Sequence, residues 1–238
     1  LSFLANFKIC LIGMAMLVTP GGAGMLIKSH FLKKKFGLSI SKTAPTVFAE
    51  RYHDFLALTT ILIFSLIFTF TIEAAISGVI AFVLLIIVYI IFTNNKWLKK
   101  IEKKIRKIKF FKNSFPDNLE ITNSVNSLKT RNSMISGWLI STIIWSIDAI
   151  AVYFGFVAFN LEIGIFEAVQ IFFTALMYGT ISFLPAGIGV TEGVFIGLLL
   201  SNNLELSIAT SLILFIRLTT IWFYTFLGFI ALKLTIKR

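Results

Sequence analysis

The ionisable residues Asp148, Glu192 and Arg217 stand in or beside strongly apolar runs of this sequence. An ionised side chain at the centre of a bilayer costs roughly 2.5–3.5 kcal/mol on insertion scales, so each needs a chemical reason. An arginine there can hold a phosphate, and an acid can hold an ammonium group or neutralise the arginine. The residue types therefore indicate either a cavity that binds lipid headgroups or an ion pair, Arg217–Asp148 or Arg217–Glu192, that locks helices together.

Two motifs that break helices share one pattern. Thr-Pro-Gly-Gly-Ala-Gly occupies 19–24, and Leu-Pro-Ala-Gly-Ile-Gly occupies 184–189. Proline lacks an N–H and glycine supports no fixed conformation, so a helix must stop or unwind at both places. Each motif either ends a helix in a loop or opens a discontinuous helix whose free backbone groups bind a polar ligand. The candidate positions are Pro20, Gly22, Gly24, Pro185, Gly187 and Gly189.

The two motifs also indicate an internal repeat. When Pro20 is aligned on Pro185, the glycines coincide and Arg51 falls close to Arg217. Arg51 belongs to a cluster that we expect just before an apolar helix at 55–72. Snorkelling of these side chains to the interface explains the cluster, and an ordered gate or a headgroup contact is the alternative. The members of that cluster are Glu50, Arg51 and Asp54. Tyr178 lies on a polar line with Gln170, Thr174 and Ser182, which predicts a hydrated cavity around 185–193.

Composition indicates the elements that position these residues. The chain is 57% hydrophobic and 14% charged, with a mean hydropathy of +0.91. Soluble domains are about half apolar and about a quarter charged, so an ordinary soluble protein is excluded. We expect an all-α polytopic membrane protein with about six or seven spans, two of them broken at the Pro/Gly motifs. The apolar runs are 1–19, 55–72, 74–93, 134–159, 168–184, 188–200 and 206–232, of which 188–200 is too short to cross and predicts a half-helix.

Positive charge indicates orientation. The net charge is +11, and the cations concentrate in 28–54 and 94–134, which favours a cytoplasmic position for both segments in the plasma membrane. The segment 94–133 is predicted to be a basic cytoplasmic loop. Its residues 94–112 predict an amphipathic helix that lies either on anionic lipid headgroups or on the protein itself. Residues 113–133 predict a polar linker. In so apolar a chain, we expect this charge to meet membrane lipids rather than nucleic acid.

Few residues suit catalysis or cofactor binding. One cysteine and two histidines make no convincing metal set, and the glycine motifs lack the Lys-Ser/Thr of a nucleotide loop. His53 beside Asp54 is the only acid–base pair that merits a test as a lipid headgroup enzyme. We therefore expect no catalytic residue, no metal and no cofactor.

The glycine motifs, Glu50-Arg51-x-x-Asp54 between them and a lone arginine in the last long helix resemble the lysylphosphatidylglycerol synthase transmembrane-region family. The resemblance covers residues 1 to about 235 and implies a single flippase-like membrane domain without an aminoacyl-transferase domain. Many relatives have an acid where this chain has Met25, and relatives usually carry one or two more N-terminal helices, so we expect a shortened N-terminus. By the same resemblance, Glu192 and Arg217 join the motif residues as family-patterned positions.

This resemblance implies movement of an anionic or modified phospholipid, or a lipid-linked sugar, between leaflets. The alternatives are a non-catalytic anchor for a lipid-modifying transferase and an integral-membrane headgroup enzyme. The lipid, the direction, the side of the C-terminus and the oligomeric state, a homodimer included, stay open. Transport would be passive or driven by an ion or proton gradient, and Asp148 and Glu192 are the groups that could carry a proton.

Overall fold

The computed structural model describes residues 3–19, 23–94, 96–97, 100 and 118–236, and the regular elements in those residues are helices. Three of these helices are long and apolar enough to cross a membrane: Ile72–Ile91, Arg131–Ala158 and Leu206–Thr235. Only 28% of each apolar window is buried inside the protein. Surfaces this apolar and exposed require a lipid environment.

The helices follow one another with short connections. They are α1 Phe3–Met14, α2 Ile27–Phe36 after a 3₁₀ turn at Ala23–Leu26, α3 Ile40–Ser65, α4 Ile72–Thr93, α5 Asn118–Leu128, α6 Arg131–Ala158, α7 Ile165–Ile181, α8 Val190–Ser201, α9 Leu206–Arg217 and α10 Phe223–Ile236. A π-helical turn, Leu218–Trp222, joins α9 to α10, so the two form one continuous helix. Within this turn, the hydroxyls of Thr219 and Thr220 both donate to the Ile216 carbonyl.

Two predicted boundaries are wrong. The helix expected at 55–72 begins at Ile40 and ends at Ser65, because residues 40–54 contain no glycine and continue the helix through their polar side chains. The expected polar linker 113–133 contains α5, whose Val125 is buried, and α5 packs on α3. Most of the predicted amphipathic helix 94–112 lies outside the described residues. Within it, exposed Lys100 stands over the exposed Trp97 ring at 5.3 Å.

The best-buried helix is α7, which has only 17 residues and lies among α3, α4, α6 and α8. Phe172 and Phe173 of α7 are buried with Phe195 of α8 and Phe156 of α6 in one apolar core. A helix covered by neighbours on all sides can be apolar around its whole circumference. The longer helices that surround α7 keep outward apolar faces.

Two pairs of antiparallel helices each precede a long helix. In the first pair, Gly13 of α1 lies against the Lys28 side chain of α2, and α3 follows. In the second pair, Gly179 of α7 lies against Thr191 of α8, and α9–α10 follows. The first and last elements also meet, since Gly228 of α10 packs directly on the α1 end at Met14 and Ala15. The glycines allow these backbones to approach closely, as in other membrane helix contacts.

Candidate functional site

The segment between α7 and α8 turns the chain with backbone angles that few residues adopt. Four residues here have positive φ angles: Phe183 at 54°, Ala186 at 55°, Gly187 at 64° and Gly189 at 85°. Such angles cost a residue with a side chain roughly 1–2 kcal/mol. The surrounding contacts must therefore hold the segment in this conformation, and Pro185 within it is exposed.

Gly187 is required by space as well as by its backbone angle. A Cβ atom on Gly187 would lie 2.9 Å from the Cα of Gly179 and 2.6 Å from the Thr191 hydroxyl oxygen. By contrast, a Cβ on Gly189 would meet open space. Gly187 thus brings α7 and α8 together, whereas Gly189 serves the turn only through its φ angle.

An ion pair closes this turn. The Arg217 Nε donates to Glu192 Oε1 at 2.6 Å, and the Arg217 Nη2 donates to the Ala186 carbonyl at 2.5 Å. The other oxygen of Glu192 accepts the Gly189 N–H at 2.6 Å, so the carboxylate also caps the start of α8. Of the two ion pairs that the sequence left open for Arg217, the structure contains the one with Glu192.

A second ion pair occurs at the equivalent place after the first motif. The Lys28 ammonium of α2 donates to Glu50 Oε2 of α3 at 2.7 Å. Lys28 and Glu192 are each near the start of a short helix, while Glu50 and Arg217 are each well inside the long helix that follows. Both ion pairs therefore join a short helix to its long neighbour, with opposite order of charge.

The cation is the more buried partner in both pairs. Side-chain exposure is 9% for Lys28 against 39% for Glu50. For the second pair it is 4% for Arg217 against 22% for Glu192. The acids are therefore the more exposed partners of both pairs.

The cluster predicted before helix 55–72 lies inside α3 and divides into two contacts. Glu50 turns to Lys28, whereas Arg51 Nη2 pairs with Asp54 Oδ2 at 2.7 Å, three residues along the same helix. Asp54 also accepts the Ser141 hydroxyl of α6 at 3.0 Å. The motif alignment places Arg51 near Arg217, but Arg51 pairs within α3. Glu50 is the residue of α3 that forms an ion pair with the short helix α2.

Asp148 does not join the Arg217 ion pair, which corrects the expectation that it converges on the 185–193 turn. It lies half-buried on α6, and the Tyr224 hydroxyl of α10 donates to Asp148 Oδ1 at 3.4 Å. The polar side chains predicted to line α7 contact different partners. The Gln170 amide donates to the Thr69 carbonyl, and Thr174 shares a hydrogen bond with Ser77 of α4. Tyr178 lies half-buried near the end of α7.

Part of the first motif lies outside the described residues, including Pro20 and Gly22. Gly24 is described, and its N–H donates to the Thr19 hydroxyl at 2.7 Å. That hydroxyl in turn donates to the Met16 carbonyl at 2.7 Å, which ties the two sides of the motif together.

Sequence reasoning missed Lys28. Its signal was available, because Lys28 follows Pro20 at nearly the spacing by which Glu192 follows Pro185. A lysine in a basic segment is expected to be an exposed cytoplasmic charge. The structure shows that Lys28 is buried because α1 packs against it.

A separate apolar cleft lies where α3 meets α5 and the start of α6. Its lining residues are Pro45, Phe48, Ala49, Tyr52, His53, Tyr89, Val125, Leu128, Lys129 and Met134. The Nε2 atom of His53 is buried there without a hydrogen-bond partner. Burial lowers the pKa of Lys129, which lies in the loop between α5 and α6. The cleft is distinct from both ion pairs.

Residues 1–228 match the family described as lysylphosphatidylglycerol synthase TM region. The chain belongs to this family. Here the match covers both ion pairs, Asp148 and the turn at 182–189.

Three curated relatives are similar to the chain over most of its length. A UPF0104 membrane protein of Pyrococcus horikoshii is 26% identical, covering 89% of this chain and 70% of the relative. One of Methanothermobacter thermautotrophicus is 26% identical, covering 95% and 74%. One of Methanocaldococcus jannaschii is 29% identical, covering 84% and 85%. No solved structure matches the chain. This member of the lysylphosphatidylglycerol synthase TM region family is a helical membrane protein.

Proposed function

We propose that the protein moves an anionic phospholipid between membrane leaflets, with the lipid phosphate binding Arg217 and Lys28 in turn. The observation that carries this proposal is the burial of the cation in both ion pairs, each facing a more exposed glutamate. A phosphate has the same charge and the same hydrogen-bond acceptors as the glutamate that it would displace. The ion pairs are then the resting state of two anion sites.

The energetics favour exchange of one anion for another. Removing one partner of a buried ion pair costs about 3–5 kcal/mol, because the other charge is left without a partner. A phosphate that replaces Glu192 on Arg217 avoids that cost and allows the glutamate to face water. Headgroup binding would thereby release the short helix from the long one, which supplies a reason for the pairs to open.

The helix lengths and the flanking charges together support an inverted arrangement of the two sites. At about 1.5 Å per residue, α2 and α8 measure roughly 15 and 18 Å, well below a hydrocarbon core of about 30 Å. We place the turns that precede them inside the membrane, as in transporters with discontinuous helices. The lysines at the end of α2, Lys33, Lys34 and Lys35, favour the cytoplasm of the plasma membrane for the first hairpin. The loop 159–164 before α7 contains Glu162 and no lysine or arginine, which favours the outer side for the second hairpin.

The family description supports the class of lipid. It names the membrane region of a lysylphosphatidylglycerol synthase, so phosphatidylglycerol and its aminoacyl derivative are the first substrates to examine. We propose transport without a catalytic step in this chain. A partnership with a separate lipid-modifying transferase is compatible with that role and would supply the modified lipid.

Exchange of labelled lipid in vesicles tests the proposal. Purified protein is reconstituted with fluorescent phosphatidylglycerol, and the accessibility of the label to an external quencher is followed. We expect Arg217→Gln and Lys28→Gln each to slow exchange at least about tenfold, which corresponds to about 1.4 kcal/mol of lost interaction.

The matched control is Lys233→Gln, which removes an exposed cation near the end of α10. It is expected to exchange lipid as the unaltered protein does. Unchanged exchange in folded, monodisperse Arg217→Gln and Lys28→Gln would remove both anion sites from the proposal.

A further inference from the structure

Asp148 differs from the other acids between the packed helices. Glu50, Asp54 and Glu192 each pair with a lysine or arginine at 2.6–2.7 Å. Within the part of the chain that the structure describes, no cation lies within ion-pair distance of Asp148, and its hydrogen-bond partner is the neutral Tyr224 hydroxyl at 3.4 Å. Asp148 is thus an acid in a membrane-spanning helix without a compensating charge.

The position makes its ionised form costly. Asp148 lies near the middle of α6, and its neighbours Ile144 and Ile147 are more than half exposed on the apolar surface of that helix. An ionised carboxylate at this depth needs a counter-charge or water, whereas a protonated carboxyl needs only a hydrogen-bond partner. Acids that stand unpaired in membrane helices are typical of proton-carrying sites.

Two groups on packed elements lie on this side of α6. Tyr224 contacts Asp148 from α10, and Asp54 of α3 contacts Ser141, which precedes Asp148 on α6. Asp54 is itself tied to Arg51.

The contact with Tyr224 links Asp148 to the anion site. Tyr224 follows Arg217 on one continuous helix, and the π turn Leu218–Trp222 lies between them. Such π turns interrupt the regular hydrogen bonding and occur frequently at functional sites. Protonation of Asp148 would change its hydrogen bond with Tyr224, which lies on the same continuous helix as Arg217.

We infer that Asp148 is a proton-binding site that couples proton movement to transfer of the anionic headgroup. The inference rests on the proposed function. The carboxylate takes a proton from water on one side of the membrane and becomes a neutral carboxyl, and it returns the proton to water on the other side. When one proton and one lipid of charge −1 cross in the same direction, no net charge crosses the membrane. Transport then avoids the electrical work of about 2.3 kcal/mol per charge at a potential of 100 mV.

The experiment measures the distribution of labelled phosphatidylglycerol in vesicles with a difference of one pH unit across the membrane. At one proton per lipid, a difference of one pH unit supports up to a tenfold asymmetry, since one unit is worth 1.36 kcal/mol. We expect the unaltered protein and the exposed-loop control Glu205→Gln to produce asymmetry. We expect none with Asp148→Asn.

The outcomes separate the two proposals. Exchange that stays symmetric in the unaltered protein under the pH difference overturns proton coupling and leaves lipid transport standing. Exchange that never exceeds that of protein-free vesicles overturns both. If Asp148→Asn does not fold, infrared spectroscopy of the unaltered protein and of Tyr224→Phe decides. A protonated-carboxyl band that shifts when the tyrosine hydroxyl is removed supports the site, and the absence of any such band refutes it.

Discussion

The two ion-paired regions of the molecule each join a short helix to the long helix that follows, with opposite order of charge. In the first, Lys28 on a short helix meets Glu50 on the long helix that follows, at 2.7 Å. In the second, Glu192 on a short helix meets Arg217 on the long helix, at 2.6 Å. The cation thus lies on the short helix in one pair and on the long helix in the other. What stays constant is a buried cation with a more exposed acid, and the proposed anion sites rest on this observation.

The two regions differ in how firmly they are held. Arg217 also donates to the Ala186 carbonyl, and Glu192 also accepts the Gly189 N–H, so the second pair holds the turn at 182–189 as well as the helices. Lys28 is held by packing against Gly13, and Glu50 is 39% exposed. We therefore expect the second region to be the more stable and the first to open more readily.

The largest expected effect comes from breaking the second pair. Arg217→Met leaves the Glu192 carboxylate without its cation and should lower the free energy of unfolding in detergent by about 3–5 kcal/mol. Denaturant unfolding followed by tryptophan fluorescence measures it. Glu192→Gln keeps an oxygen to accept from Arg217 but leaves that buried cation without its counter-charge, so a comparable loss is expected. A loss below about 1 kcal/mol for Arg217→Met would mean that the pair does not hold the turn.

The glycines of the second turn give the next largest effect and separate space from backbone angle. Gly189→Ala has open space for its Cβ, so only the positive φ angle should cost about 1–2 kcal/mol. Gly187→Ala meets Gly179 and Thr191 as well and should destabilise the protein further. Thermal unfolding of the two variants in one detergent compares them. Equal losses would show that α7 and α8 can move apart without cost.

A smaller effect is expected at the first pair. Lys28→Met leaves Glu50, which reaches water, so the loss should be about 1–3 kcal/mol and less than that of Arg217→Met. The same unfolding experiment measures both, and Lys233→Met is the control for removal of an exposed cation. If Lys28→Met destabilised the protein more than Arg217→Met, the first ion-paired region would be the more stable of the two, contrary to expectation.

The smallest effect on stability is expected at Asp148. Asn keeps the shape of Asp and can still accept the Tyr224 hydroxyl, so Asp148→Asn should change the free energy of unfolding by less than about 1 kcal/mol. This substitution would then alter dependence on pH while the fold is kept. A loss of several kcal/mol would show that Asp148 has a structural partner that stabilises its ionised form.

Local patterns predicted much of this architecture, and tertiary packing decided the rest. The apolar runs indicated the long helices, and the need to neutralise Arg217 named Glu192 as one of two partners. The Lys28–Glu50 pair escaped prediction because a lysine in a basic segment carries no sign of burial, and because choosing Glu50 over Arg51 depends on which face of α3 meets α2. The Asp148–Tyr224 contact joins helices far apart in sequence, which no local spacing reveals.

Lipid selectivity tests the central claim most directly. Vesicles that contain the unaltered protein are loaded with labelled phosphatidylglycerol or, in a matched set, with labelled phosphatidylcholine, whose headgroup carries no net charge. If two buried cations bind the headgroup, phosphatidylglycerol exchanges between leaflets well above the rate in protein-free vesicles and phosphatidylcholine remains near that rate. Equal exchange of both lipids, or exchange of neither, would contradict anion recognition at Arg217 and Lys28.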